Sequence, residues 1–150
     1  MSISQKASTF ELTSDLQNRL LLDRIDLHVE VPAVDYKDLS SRDEGESSGL
    51  VRERVVAARQ RQIERFAKYD GVTCNAAMPS NVMREVCQID ATASGYLEHA
   101  MNELNFSARA HDRILKVART LADLAGREAI DAADVLEAIQ YRTLDRKLMM

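Results

Sequence analysis

One stretch constrains the fold of this chain more than any other: residues 107–126, SARAHDRILKVARTLADLAG. Its apolar residues recur at intervals of three and four, which places them on one face of an α-helix. Ser107 suits the N-cap of that helix, and Gly126 suits the left-handed residue that commonly follows a helix C-terminus. A helix of this kind must bury its apolar face against other elements. The residues predicted to point inward are Ile114, Leu115, Ala118, Leu121, Ala122 and Ala125.

The composition favours further helices as the packing partners. Of the 150 residues 45% are apolar, only 5% are aromatic, and Gly and Pro number five and two. Helical spacing predicts more helices over 10–24, 50–70, 80–88, 90–104 and 131–142. We therefore predict a mainly α fold, with a small antiparallel helix bundle in the second half. The expected N-caps are Ser47 or Ser48, Asp90 and Asp131, and the expected inward residues are Val51, Val55, Ala58, Ile63, Phe66, Leu97, Ala100, Met101, Leu104, Val135, Leu136 and Ile139.

A single β-strand is predicted ahead of this bundle. Residues 25–32, IDLHVEVP, alternate apolar and polar side chains and end at a proline. A lone strand is not stable, because a sheet needs neighbouring strands. This orphan strand is therefore expected to join a sheet formed elsewhere or to pair between copies of the chain. Residues 33–49, rich in acids and serines, are predicted to be a linker.

Charge is distributed unevenly along the chain. Residues 1–45 hold five bases and nine acids, whereas residues 46–150 hold fifteen of each, giving a net charge of −4. This is not the overall basic character of a nucleic-acid-binding domain. A local basic run on the 50–70 helix is either a solvated helix face or a phosphate-backbone contact. The residues of that run considered for weak nucleic-acid contact are Arg52, Arg59 and Arg61.

The chain shows no catalytic motif of its own. It lacks a GxxxxGK[ST] phosphate loop, an HExxH pair and a Gly-rich dinucleotide turn. Cys74 and Cys87 are not spaced as a zinc site or a disulfide framework, so we expect two reduced thiols and no metal. No apolar run reaches the roughly 20 residues of a membrane span, and no signal peptide is apparent. The expected location is the cytoplasm, without a membrane partner.

The charges at the start of the 107–126 helix run against its dipole. The first turn of a helix favours acids, yet this one carries Arg109 and, one turn later, Arg113. One interpretation is that both are ordinary arginines at the edge of a packed face. The alternative is that they serve a negative ligand. A third basic feature, Arg24, is flanked by Asp23 and Asp26, and a local ion pair is its simplest interpretation.

Four stretches together resemble the C-terminal portion of the ComM/YifB-type magnesium-chelatase-like AAA+ ATPases. The resemblance extends from about Leu21 to Arg146. The stretches occur in the family's order and are more specific together than any one alone. They are LLDRIDLHVEVP, GESS with VRERVVAARQRQ, NFSARAHDRILKVARTLADLAG, and AIQYRTLDR.

The resemblance implies how the chain is divided and that the complete enzyme binds ATP. In this family ATP, with Mg²⁺, lies between an α/β core and a helical lid, at the boundary between ring subunits. By resemblance, residues 21–32 end the core, 33–49 link, and 50–146 form the lid, while residues 1–20 are a partly helical leader outside the family. The implied partners are an AAA+ core domain, neighbouring subunits and, for the parent enzyme, DNA undergoing ATP-driven branch migration or recombination.

The resemblance also gives roles to the arginines. Arg24 matches the arginine finger, which acts in trans on a neighbouring subunit's γ-phosphate. Arg109 matches the sensor-2 arginine at the start of a lid helix, and Arg113 becomes a candidate phosphate contact. A triphosphate at that helix N-terminus would explain cations placed against the dipole.

The chain departs from the family in its first part. The Walker A and Walker B segments are absent, and the Gly-Pro usual before the LLDRID-like stretch is replaced in NRLLLDRID. We therefore expect a piece of a longer enzyme or a truncated gene product, which binds no cofactor and hydrolyses no ATP alone. Two alternatives remain: a stand-alone helical interaction module that uses helix 50–68 and the orphan strand, and a direct nucleic-acid binder.

Overall fold

The computed structural model describes residues 25–29, 31, 33 and 45–142. Within them the fold is helical, and a short 3₁₀ turn at Asn75–Ala77 precedes the second helix. The helix predicted over 10–24 lies outside the described residues. The five α-helices are α1 Ser48–Phe66, α2 Ser80–Val86, α3 Ala91–Glu103, α4 Ala108–Leu124 and α5 Ala132–Gln140.

Helix α4 lies at the centre of the bundle. It packs against α1, α2, α5 and the 3₁₀ turn, while α3 packs against α5. Seven of its 17 residues are buried. The surrounding core is built from small and aliphatic side chains, with Phe66 as the buried aromatic residue among the described ones. The predicted mainly α helix bundle is confirmed.

Both ends of α4 are capped as its sequence predicts. The Ser107 hydroxyl accepts a hydrogen bond from the Ala110 N–H at 3.2 Å. At the other end Gly126 has φ +74° and donates its N–H to Asp123 O at 3.1 Å, while the Arg127 N–H reaches Ala122 O at 2.8 Å. These two bonds form a Schellman motif, which needs a left-handed residue and therefore favours glycine. The predicted helix bounds are confirmed.

The remaining predicted caps are also confirmed. Ser47 caps α1, Asp90 caps α3 through a 2.7 Å bond from the Ala93 N–H, and Asp131 precedes α5. At α5 the Asp134 carboxylate accepts from the Asp131 N–H at 2.9 Å, so an acid in the first turn satisfies a free backbone donor.

Several residues predicted to point inward are instead exposed. Ala125 is the C-cap of α4 and lies past the packed part of the helix. Leu136 is 42% exposed, because α5 buries the face of Val135 and Ile139, and the next residue after Val135 is turned by about 100°.

The largest correction concerns α1. Val51 and Val55 continue the line of Ala58 and Phe66, yet residues 48–57 are all exposed. The 19-residue helix is about 28 Å long, and the other described helices cover it only from Ala58 onward. Ile63 is exposed for another reason: it lies away from the face of Ala58, Gln62 and Phe66 that touches the bundle.

The predicted orphan strand lies partly outside the described residues. Those described between 25 and 33 belong to no helix or strand. The backbone of this segment instead contacts the end of α5, where the His28 N–H donates to Tyr141 O at 2.9 Å. The apolar residues of the pattern remain exposed: Ile25, Leu27, Val29 and Val31.

Candidate functional site

The N-terminus of α4 presents Arg109 to solvent. Arg109 is the second residue of the helix, directly after the Ser107 cap and Ala108. Its side chain is exposed and makes no hydrogen bond or ion pair with any described residue. Because helix N–H groups and the dipole favour an anion at this end, the arginine and the helix could bind the same negative group.

Arg113, one turn further along α4, already has an ion-pair partner. Its Nη1 lies 2.8 Å from Oδ1 of Asp26, and only 22% of its side chain is exposed. The structure therefore joins Arg113 to the segment that follows Arg24 and leaves Arg109 open. Arg24 itself lies outside the described residues, so its predicted role as an arginine finger stays a prediction. The prediction that Arg113 contacts phosphate also remains untested.

Two more contacts hold the same segment against the bundle. The Arg142 guanidinium donates to Ile25 O at 2.5 Å, and the His28 N–H donates to Tyr141 O at 2.9 Å. Arg142 is 2% exposed and follows Tyr141, the C-cap of α5. Sequence reasoning did not identify Arg142 or the Asp26 partner, since the bonds join residues more than 80 positions apart. The only available signal was that Arg142 falls within the family-like stretch AIQYRTLDR.

An open cavity of about 350 Å³ lies between this segment and α4. Asp26 and Leu27 line one part of it, and the apolar side chains of Val117, Leu121 and Leu124 line another. Lys116, a further lining residue, donates from Nζ to Ala76 O at 3.0 Å. The mostly apolar lining makes this cavity a poor place for a triphosphate, in contrast to the exposed end of α4.

The opposite end of α4 holds a buried polar network. The Asp123 carboxylate is fully buried and accepts from both guanidinium nitrogens of Arg65 on α1. Asn75 of the 3₁₀ turn donates to the same carboxylate at 2.8 Å, and Arg119 lies 3.2 Å from it. The network joins α1, the turn and α4, so its role is structural.

Arg119, like Asp123, is a buried member of that network on α4. Its guanidinium also donates to Glu128 O at 2.5 Å and to Arg127 O at 2.8 Å, carbonyls of the loop after the helix. Burial lowers the pKa of Arg119, and the carboxylate of Asp123 acts in the opposite direction. Each charged group therefore has a partner of opposite charge, which burial requires.

The basic residues of α1 do not form one surface. Arg52 and Arg59 are seven residues apart and share a side of the helix, whereas Arg61, nine residues after Arg52, faces the opposite side. Arg59 donates to Gln62 Oε1 at 3.0 Å. Other members of the run pair with acids: Arg54 with Glu46, Arg65 with Asp123, and Lys68 with Glu85. The exposed pairs of Arg54 and Lys68 favour the solvated-face interpretation, whereas Arg65 belongs to the buried network around Asp123.

The two cysteines are free thiols in different surroundings. Cys87 is buried, and burial raises its pKa to about 11. Cys74 is half-buried; burial acts to raise its pKa, but hydrogen bonds from the Ala77 N–H and Arg59 lower it below its ordinary value. Among the described residues, no group of three metal-ligating side chains is close enough together to hold an ion. No described helix has both the length and the apolar character to cross a bilayer.

Comparison with known families decides where this bundle belongs. Residues 45–142, well over half of the chain, match the family model described as magnesium chelatase, subunit ChlI C-terminal. The chain belongs to this magnesium chelatase C-terminal family. The matched range begins just before the Ser47 cap of α1 and ends at Arg142. The family domain thus includes the whole described bundle, both Arg109 and Arg142 among its residues.

Individual relatives agree with this assignment. The chain is 41% identical over 135 residues to competence protein ComM of Haemophilus influenzae, with 87% of the chain and 26% of the relative covered. It is 39% identical to YifB of Escherichia coli over 145 residues, covering 94% and 28%. A Mycobacterium bovis protein, Mb2921c, is 35% identical over 122 residues, covering 81% and 24%.

The relatives are much longer than this chain, which spans about a quarter of their length. The resemblance to the C-terminal portion of the ComM/YifB-type proteins is thereby confirmed. The family and the relatives make this a chelatase-like member of the AAA+ proteins.

Proposed function

We propose that this chain supplies the helical lid of a magnesium-chelatase-like AAA+ ATPase. In the proposal Arg109 binds a phosphate of ATP·Mg²⁺ held by a Walker-containing core of the same subunit. Arg24 acts in trans, on the nucleotide of a neighbouring subunit in a ring. The site is thus divided among this chain, a core domain and a neighbour.

One observation carries the proposal: Arg109 is exposed without a partner among the described residues, at the N-terminus of a 17-residue helix. A cation at this position interacts unfavourably with the dipole by a fraction of a kcal/mol up to about 1 kcal/mol. A charge-assisted bond to phosphate offsets that cost, and the helix N–H groups favour the same anion. The other α4 arginines, Arg113 and Arg119, pair with carboxylates.

The activity proposed for the complete enzyme is ATP-driven work on DNA, such as branch migration or recombination. The support is the likeness to a protein named for competence and the match to the magnesium chelatase family. Arg52, Arg59 and Arg61 are the weaker candidates for DNA contact, because they do not share one face of α1.

The test is binding of a non-hydrolysable ATP analogue to this chain, alone and mixed with the Walker-containing core of a family member. We expect binding only in the mixture, and its loss with Arg109→Ala. Arg84→Ala is the matched control, because Arg84 is an exposed helical arginine without a partner among the described residues. An unchanged affinity with Arg109→Ala would exclude the sensor role, and the absence of binding in the mixture would exclude the lid.

Hydrolysis tests the other arginine. With Arg24→Ala the mixture should still bind the analogue but hydrolyse ATP about 10³-fold more slowly, the lower end of the effect of an arginine finger. Mixing Arg24→Ala chains with chains that carry Arg109→Ala should restore part of the activity, because each variant lacks a different part of a shared site. Full activity of Arg24→Ala alone would remove the trans role.

A second candidate function, self-association as a helical interaction module, is favoured by the exposed apolar side chains of α1. Leu50, Val51, Val55 and Val56 are exposed in its first half, which no other described helix covers. Sedimentation equilibrium of the chain alone should then show a mass that rises with concentration, and Val55→Glu should lower it. A monomer at all concentrations would exclude this function and leave the lid proposal intact.

A further inference from the structure

The segment that follows Arg24 is held against the helical bundle by three separate contacts. Asp26 pairs with Arg113 at 2.8 Å, the Ile25 carbonyl accepts from Arg142 at 2.5 Å, and the His28 N–H donates to Tyr141 O at 2.9 Å. The contacts come from both α4 and the end of α5. Together they constrain the backbone at three positions within four residues. We call this set of contacts the clamp.

The strongest part of the clamp is its buried arginine. Arg142 is 2% exposed, and a charged group so enclosed needs acceptors that remain in place. The Ile25 carbonyl is one of them, so moving residue 25 away would remove a bond from a buried cation. The Asp26–Arg113 pair is more exposed and individually weaker, but it fixes the side of the segment next to α4.

We infer that Arg113 and Arg142 are positioning residues, which make the arginine-finger segment move together with the sensor helix. This inference rests on the proposed function of Arg24 and Arg109. Arg24 is covalently bonded to Ile25, and Arg113 lies one turn after Arg109 on the same helix. A movement of α4 that follows phosphate binding at Arg109 would carry residues 25–28 with it. ATP bound in one subunit would thereby set the position of the finger that serves its neighbour.

The clamp can be tested in this chain without nucleotide. The His28 amide should exchange with solvent deuterium much more slowly than an unstructured amide, because it is bonded to Tyr141 O. Asp26→Arg or Arg113→Asp should raise its exchange rate about two- to fivefold, the effect of losing one exposed ion pair. The double variant, which reverses the pair, should restore the rate.

The Ile114 amide in the buried part of α4 is the control for folding, and its exchange should not change. Rapid exchange of the His28 amide in the unchanged chain would overturn the clamp, independently of any result on ATP hydrolysis. The clamp would also be overturned if neither single variant changed the His28 exchange rate. The Asp26 and Arg113 variants are preferred to Arg142→Gln, because removing a buried guanidinium can unfold the bundle.

The positioning role is tested in the mixture with the Walker-containing core. Asp26→Arg and Arg113→Asp should each lower kcat about 10- to 100-fold at an unchanged KM, as expected when a catalytic group is displaced by about 1 Å. The double variant should recover most of kcat. A merely structural role would lower the amount of folded enzyme instead, and a direct phosphate role for Arg113 would raise KM and resist rescue.

Two outcomes separate this inference from the proposed function. If Arg24→Ala lowers kcat but Asp26→Arg does not, the inference is overturned and the proposed function stands. If Arg24→Ala has no effect on hydrolysis, the trans finger is wrong and the inference is overturned with it. Rescue by the reversed pair, together with a low kcat for Arg24→Ala, supports both.

Discussion

Both ends of α4 carry an arginine, but one arginine is buried and bonded whereas the other is exposed and without a partner among the described residues. At the C-terminal end Arg119 is buried and bonded to Asp123 and to the carbonyls of Arg127 and Glu128. At the N-terminal end Arg109 is exposed, with no bond to any described residue. One helix thus contains an arginine that stabilises the bundle and another whose side chain makes no stabilising contact with the described residues.

The difference follows from the groups that each arginine can reach. Arg119 lies before the last turn of α4, and its guanidinium donates to the carbonyls of Arg127 and Glu128 in the loop after the helix, so these groups stabilise each other. The N-terminus offers N–H groups, which do not attract a cation. A cation there stabilises nothing in the isolated bundle, and it becomes favourable only when an anion arrives. The comparison therefore predicts that changes at the C-terminal end cost stability, whereas a change at Arg109 costs function.

The largest expected effect is at the C-terminal end. Asp123→Ala removes the shared acceptor of Arg65, Arg119 and Asn75 and leaves buried cations without a counter-charge. We expect the free energy of unfolding to fall by about 3–5 kcal/mol, measured by urea denaturation. Asp112→Ala, at a half-exposed acid of the same helix, should cost less than about 1 kcal/mol. Similar losses for the two variants would contradict a structural network at this end.

The turn that closes α4 gives the next largest effect. Gly126 has φ +74°, so Gly126→Ala should lower the free energy of unfolding by about 1–2 kcal/mol. The same substitution at Gly95, inside α3 with open space at its Cβ position, should instead stabilise the chain by about 0.5–1 kcal/mol. Thermal denaturation should show a lower Tm for Gly126→Ala and a higher Tm for Gly95→Ala. Equal shifts in Tm would argue against a left-handed requirement at Gly126.

At the N-terminal end the Ser107 cap stabilises the fold, whereas the Arg109 side chain does not. Ser107→Ala removes the acceptor of the Ala110 N–H and should cost about 1 kcal/mol in urea denaturation. Ser94→Ala, at an exposed position within α3, should change stability by less than about 0.5 kcal/mol. If Ser107→Ala behaved like the control, the N-terminus of α4 would be stabilised by something other than its cap.

The smallest effect has the opposite sign and is the sharpest test of the comparison. Arg109→Glu replaces a cation by an acid in the first turn of α4, which should stabilise the chain by about 0.3–1 kcal/mol at low ionic strength. The gain should shrink as salt is added, because exposed charges are screened. The same variant should abolish binding of the ATP analogue in the mixture with the core. A loss of stability would show that Arg109 has a structural partner.

Much of the fold follows from local sequence rules. Ser107, Asp90 and Gly126 are read as caps because their chemistry acts on backbone groups three or four residues away. Burial is harder to predict from periodicity. Val55 lies on the same line as Ala58, but no described residue covers it, and periodicity cannot report where a neighbouring helix ends.

In the candidate site, too, local features could be predicted from the sequence and long-range contacts could not. Arg109 could be identified from the sequence, because its conflict with the helix dipole and its family-like motif are both local. Arg142 and Asp26 could not, since their contacts join residue 25 to residue 142 and residue 26 to residue 113. Asp26 pairs with Arg113, a partner that the sequence does not suggest, whereas the predicted local ion pair of Arg24 lies outside the described residues.

The sequence by itself determined the helices, their caps, the family and the arginine at odds with its dipole, because each depends on groups within a few residues of one another. Only the tertiary structure decided which arginines are neutralised: Arg113 by Asp26, and Arg65 and Arg119 by Asp123. The physical reason is that an ion pair depends on distance in space. Two of these pairs join residues from different parts of the chain, and folding alone brings them within 3 Å.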